Sequence, residues 1–118
     1  MSKRRNFKKN IRYACGDLAA ECIMAKYFVD DMDSQAMDNA VVEIARIQET
    51  LLSRANVKFD KSAEAFENKA QYRKAHRDFM HKAFKSLNQL FIAEVNKVVK
   101  EMNKALPEKQ KELNKKSV

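Results

Sequence analysis

Two histidines and an aspartate are the residues of this chain that come closest to a metal-binding pattern. His76 and His81 are five positions apart, which places them about 140° apart around a helix, too far to hold one metal ion. Asp78 and His81 form an Asp-x-x-His pair, half of the motif that helical di-metal sites use twice. Since the second half and the additional carboxylates are missing from the pattern, the sequence predicts no metal site and no cofactor.

Two cysteines, Cys15 and Cys22, could in principle provide a nucleophile or a disulfide. The helical rise between them is about 10.5 Å, which is too long for a disulfide within one helix. Catalytic thiols need a neighbouring cation or base, whereas these two lie in an apolar seam, where burial raises the pKa of a thiol. We therefore interpret them as buried, reduced thiols. Because the sequence also lacks glycine-rich loops, nucleophile elbows and zinc-binding motifs, we predict that the protein is not an enzyme.

The first twelve residues contain six cations and no acid. The start of a helix normally favours acids, because its free N–H groups carry partial positive charge. A cluster of cations suits the phosphate backbone of a nucleic acid, although signatures of helix–turn–helix, zinc-finger and RNA-recognition domains are missing. Nucleic-acid association is therefore the alternative function, and the residues predicted to contact phosphate in the arm are Lys3, Arg4, Arg5, Lys8, Lys9 and Arg12. The basic face of the third helix would add Lys69, Arg73, Lys74, Arg77, Lys82 and Lys85.

Charge is segregated along the chain. The formal net charge is +8, yet residues 13–49 hold eight acids and only two cations. Such segregation favours charge complementarity within or between chains as readily as an anionic ligand. We expect the cations of residues 1–12 to stay in water or to meet the acids of residues 30–38, in the same subunit or in a neighbouring one.

The composition and the apolar periodicity predict an all-α fold. One glycine and one proline in 118 residues are too few for the turns of a sheet protein. Apolar residues recur at steps of three and four. They predict helices over residues 5–29 and 34–55, and a third helix that starts at Ser62 or near Asn68 and ends near Leu106, before Pro107. The predicted architecture is a single-domain antiparallel three-helix bundle over residues 1–118 with coiled-coil-like packing, and with flexible basic ends at residues 1–5 and 107–118.

The third predicted helix is much longer than the other two, about 58 Å against 33–37 Å. Its excess length should need a second chain, a kink or a folded-back tail. We therefore predict a small non-catalytic interaction or scaffolding protein that forms a homodimer through this helix. The residues predicted to form the partner surface are Phe91, Ile92, Val95, Val99 and Met102.

The first predicted helix has two further features. Gly16 lies in its middle, where glycine costs up to about 1 kcal/mol relative to alanine. This cost favours close approach of another helix, and the alternative is a ligand or partner that touches the bare backbone. The apolar seam of this helix consists of Phe7, Ile11, Cys15, Leu18, Cys22, Ala25 and Val29. Four further large side chains are expected to widen this apolar face, and they are Tyr13, Met24, Tyr27 and Phe28.

The sequence pattern also bears on location. Asp17 and Glu21 interrupt what would be the apolar region of a secretory signal, and no apolar run approaches the roughly 20 residues that cross a bilayer. Together with the reduced cysteines, this predicts a cytoplasmic protein without a membrane partner.

Overall fold

A computed structural model describes residues 2–107, which form three α-helices. Helix α1 spans Lys3–Phe28, α2 spans Ser34–Arg54 and α3 spans Lys69–Ala105, with one short 3-10 turn at Ala63–Ala65. No strand occurs within residues 2–107, so the all-α prediction is confirmed. The predicted flexible tail after Pro107 lies outside the described residues.

Each helix begins at a side-chain cap. Ser2, Asp33 and Asn68 each accept a hydrogen bond from the backbone N–H three residues further on, at 2.9–3.1 Å. Such caps satisfy donors that have no partner inside the helix. The cap at Ser2 explains why α1 begins two residues before the predicted position, and the cap at Asn68 selects the later of the two predicted starts of α3.

The core is built mainly between α1 and α2. Of the twelve buried apolar side chains in residues 2–107, ten belong to α1, α2 and the Ala55 cap, and only Phe84 and Val98 come from α3. Burying one large aliphatic side chain stabilises the fold by about 1.5–3 kcal/mol, so the side chains of α1 and α2 contribute most of the stabilisation that comes from fully buried residues. The ten are Phe7, Ile11, Cys15, Cys22, Met37, Ala40, Ile44, Ile47, Leu51 and Ala55.

Helix α3 packs antiparallel to α2 and makes far fewer contacts with α1. The guanidinium of Arg46 lies 3.3 Å from the carboxylate of Glu94, and Val98 is buried in the core. Between α1 and α3, the main contact joins the rings of Phe7 and Phe84, whose centroids are 5.4 Å apart. The bundle is therefore open along the α1–α3 side, and the molecule is elongated, measuring 65 × 26 × 21 Å.

The excess length of α3 lies at its N-terminal end. The helix has 37 residues, or about 55 Å, against about 32 Å for the 21 residues of α2. Its first turns pack against the segment that connects it to α2: the ring of Phe59 lies 5.3 Å from Phe79 and 5.5 Å from His76, and Phe66 lies 5.6 Å from Tyr72. Because these side chains come from the same chain, the excess length does not by itself require a second copy.

The basic start of α1 lies against the C-terminal end of α2. The side chain of Arg4 is half-buried and donates hydrogen bonds to the carbonyl oxygens of Ala55 and Val57. Lys8 donates to the Asn56 side chain at 2.7 Å. The last carbonyls of a helix lack partners and carry partial negative charge, so cations are favourable there. The expectation that the cations of this stretch stay in water or meet the acids of residues 30–38 is wrong for Arg4, whose hydrogen bonds are partly buried.

The acids of residues 30–38 are not the partners of these cations within the chain. Antiparallel pairing places them at the other end of α1, where Lys26 lies 2.9 Å from Asp38. The expectation that the cations of residues 1–12 meet these acids in the same subunit is therefore wrong, and the pairing with a neighbouring subunit stays a prediction.

Replacing Arg4 with alanine should destabilise the protein. The substitution leaves two carbonyl groups at the end of α2 without their donor, and such a loss costs about 1–3 kcal/mol. Urea denaturation followed by circular dichroism measures the effect. Arg5→Ala, which removes an exposed cation one residue away, should change the midpoint by much less; equal midpoints for the two variants would contradict the proposed role of Arg4.

Candidate interaction surfaces

Most of the exposed large hydrophobic side chains belong to α1. Seven large hydrophobic side chains are exposed in residues 2–107, and five of them belong to this helix. We define the outer face of α1 by residues that recur at steps of three and four and so share one side of the helix. They are Tyr13, Gly16, Ala20, Met24 and Tyr27, with Ile23 and Phe28 at the margins.

This face points away from the core. Tyr13 follows Ile11 by two positions, a rotation of about 200° around the helix. The expectation that four large side chains widen the core face of α1 is therefore wrong: Tyr13, Met24, Tyr27 and Phe28 are 63, 58, 73 and 80 % exposed. Helix α1 thus has two apolar faces, one buried by α2 and one that no other part of residues 2–107 covers.

Gly16 lies on the outer face in open space. A Cβ atom placed on this residue would have no neighbouring heavy atom within 4 Å. The prediction that another helix approaches Gly16 closely is therefore wrong within the described part of the chain. No contact among residues 2–107 offsets the cost of this mid-helix glycine.

The partner surface predicted on α3 is partly used inside the molecule. Phe91 and Met102 are half-buried and pack against the core. Val95 and Val99 are also half-buried, and only Ile92, at 58 %, is exposed. The structure therefore divides this set between the core and the open side of the bundle.

A groove of about 470 Å³ lies between α1 and α3 at the end where Phe7 meets Phe84. Its lining contains the cations Lys3 and Lys85 together with His81, and it contains no carboxylate. The Lys3 ammonium lies 3.4 Å from Nδ1 of His81. The remaining lining residues are four side-chain amides and Ile92, and the amides are Asn6, Asn10, Asn88 and Gln89. Hydrogen-bond donors and cations without an acid suit an anionic group.

The two basic segments of the sequence meet at this groove. Residues 3–12 hold six cations and no acid, and residues 69–93 hold six cations and one acid, Asp78. Because α1 and α3 run in the same direction there, both segments lie at one end of the molecule. Arg5, Lys9 and Arg12 are exposed, whereas Arg4 and Lys8 contact the end of α2.

The two cysteines and His76 lie among apolar side chains. Cys15 and Cys22 are free and buried, as predicted, and burial raises the pKa of both thiols, with the charge of Glu21 raising that of Cys22 further. His76 packs among aromatic rings. Within residues 2–107, no three side chains of His, Cys, Asp or Glu lie close enough together to hold a metal ion.

Neither a membrane-spanning helix in residues 2–107 nor a related known protein gives a further indication of function. Within the described range, none of the helices has the length and apolar character needed to cross a bilayer. No protein-family model, curated protein or solved structure matches the chain.

Replacing Gly16 with alanine should stabilise the isolated chain. The added methyl group meets nothing, and alanine favours a helix over glycine by about 0.8–1 kcal/mol. Thermal unfolding of the two proteins at low concentration measures the difference. A lower melting temperature for the alanine variant would show that the space at Gly16 is needed by the folded monomer itself.

Proposed function

We propose that this chain is a non-catalytic interaction protein that self-associates through an apolar helix face. The observation that supports the proposal is the concentration of exposed aromatic and aliphatic side chains on one side of α1. Monomeric proteins rarely expose large contiguous apolar patches, and such patches are typical of protein interfaces. The proposal assigns the protein to the cytoplasm, since two free cysteines suit a reducing compartment.

Two surfaces compete as the interface. The set predicted on α3 supplies one exposed side chain, Ile92, with Val95 and Val99 half-covered beside it. The outer face of α1 offers three large side chains, Tyr13, Met24 and Tyr27, each more than half exposed. Because the buried apolar area drives association, the outer face of α1 is the better supported interface and the α3 set is the second.

Sedimentation equilibrium should show a dimer that dissociates on dilution from about 50 µM, as expected when folding and association are linked by mass action. Tyr27→Ser should shift the protein to monomer, whereas Ile92→Ser, an equally polar change on α3, should leave the dimer intact. Circular dichroism checks that both variants keep their helix content. A monomer at every concentration would remove the proposed function, and dissociation caused by Ile92→Ser alone would move the interface to α3.

A second candidate function is association with a nucleic acid, and the meeting of the two basic segments beside one groove favours it. Twelve cations and one acid lie in residues 3–12 and 69–93. Phosphate contacts by Lys and Arg supply most of the sequence-independent affinity for DNA or RNA. The groove between α1 and α3 would then hold part of the backbone, with Lys3 and Lys85 on its two sides.

Lys85→Gln should weaken binding to a DNA duplex and make its salt dependence shallower. Each lost phosphate contact reduces the slope of log affinity against log salt by about 0.9. Lys100→Gln is the matched control, since it removes the same charge from an exposed position of α3 outside the groove. No binding by the unaltered protein at low salt, measured by fluorescence anisotropy, would exclude this second function.

A further inference from the structure

We infer that two copies of this chain associate antiparallel through the outer faces of their α1 helices, with Ala20 beside Ala20 of the second copy on the two-fold axis. This inference rests on the proposed self-association and specifies its geometry. Symmetric dimers place one surface patch against an identical patch. The patch must therefore be complementary to itself.

The spacing of the outer face meets this condition. Its members lie at positions 13, 16, 20, 24 and 27, so the steps are three, four, four and three, and the series reads the same from either end. Antiparallel alignment about Ala20 therefore superimposes the whole set on its own reverse. Steps of three and four are also those that keep a seam facing a partner helix.

The sizes of the side chains fit this register as well. Tyr13 comes beside Tyr27 of the second copy, and each Gly16 comes opposite Met24 of the second copy. The space above Gly16 is open in the single chain, while Met24 is 58 % exposed. A flexible methionine is suited to filling such a space. The register thus gives the mid-helix glycine a role that no contact within the chain provides.

Charge complementarity favours the antiparallel direction and a second copy as the occupant. On the outward side of α1, Arg5, Lys9 and Arg12 are exposed, and residues 3–16 contain no acid. The turn after α1 contains the exposed acids Asp30, Asp31 and Asp33. Antiparallel helices bring the basic half of each α1 towards the acidic turn of the other copy, whereas parallel helices would bring like charges together.

The size of the contact predicts a weak dimer. The outer face extends over about 21 Å of helix axis from Tyr13 to Tyr27, which is short compared with stable obligate interfaces. The opposite charges at its two ends should make the association weaker at high salt. A dimer with micromolar affinity that dissociates as salt rises is the expected behaviour.

Disulfide trapping tests the axis. Ala20→Cys places a thiol on the proposed two-fold axis at an exposed position, and Glu49→Cys places one at an exposed position of α2 as the matched control. Under mild oxidation, Ala20→Cys should form covalent dimers at least about tenfold faster than Glu49→Cys, because the dimer raises the effective concentration of the paired thiols. The two native cysteines are buried and present in both variants.

Mixed cysteine variants test the direction. Lys9 and Asp31 are exposed, flank the apolar set and come beside each other in this register, so their replacement leaves Tyr13 and Tyr27 in place. An antiparallel dimer should cross-link a mixture of Lys9→Cys and Asp31→Cys faster than either variant alone, whereas a parallel dimer would cross-link each variant alone. If the unaltered protein sediments as a dimer but Ala20→Cys reacts no faster than the control, the inference fails and the proposed function stands. A monomeric unaltered protein removes both.

Discussion

The antiparallel packing of α1 on α2 is the interaction on which the other features of this molecule depend. These two helices and the Ala55 cap contribute ten of the twelve buried apolar side chains of residues 2–107, and their packing fixes which parts of the chain become neighbours. The N-terminal cations of α1 meet the C-terminal end of α2, where Arg4 donates to the carbonyl oxygens of Ala55 and Val57 and Lys8 donates to the side-chain oxygen of Asn56. A helix that begins with cations is unfavourable alone and favourable beside the negative end of an antiparallel neighbour.

The same packing leaves α1 with an apolar face that the rest of residues 2–107 does not cover. One side of the helix is occupied by α2, and α3 lies mostly against α2 rather than α1. The outward side therefore retains exposed aromatic residues such as Tyr13 and Tyr27, and the open side towards α3 forms a groove with cations and amides in its lining. Both surfaces stay exposed because α2 packs closely against α1 and against α3, whereas α1 and α3 make few contacts with each other.

The buried seams could be predicted from the sequence, because they follow from helical periodicity alone. The seam of Phe7, Ile11, Cys15 and Cys22 has the spacing of one helix face. The same argument could also have predicted the outer face, since Tyr13 lies about 200° from Ile11. The prediction of one wide face instead grouped all the large apolar side chains of α1 together. The sequence could not predict the contacts of Arg4 or the end at which α3 extends beyond α2, because both depend on how helices distant in sequence align. The meeting of the two basic segments depends on the same alignment.

The position of the core within the chain affects how folding can proceed during synthesis. All ten of the side chains that α1 and α2 bury lie within the first 55 residues, and they pair across a short turn at residues 29–33. Contacts between neighbouring segments form quickly, since little entropy is lost in closing the intervening loop. The helical hairpin can therefore assemble while the ribosome is still translating α3, and the third helix then docks onto a surface that already exists.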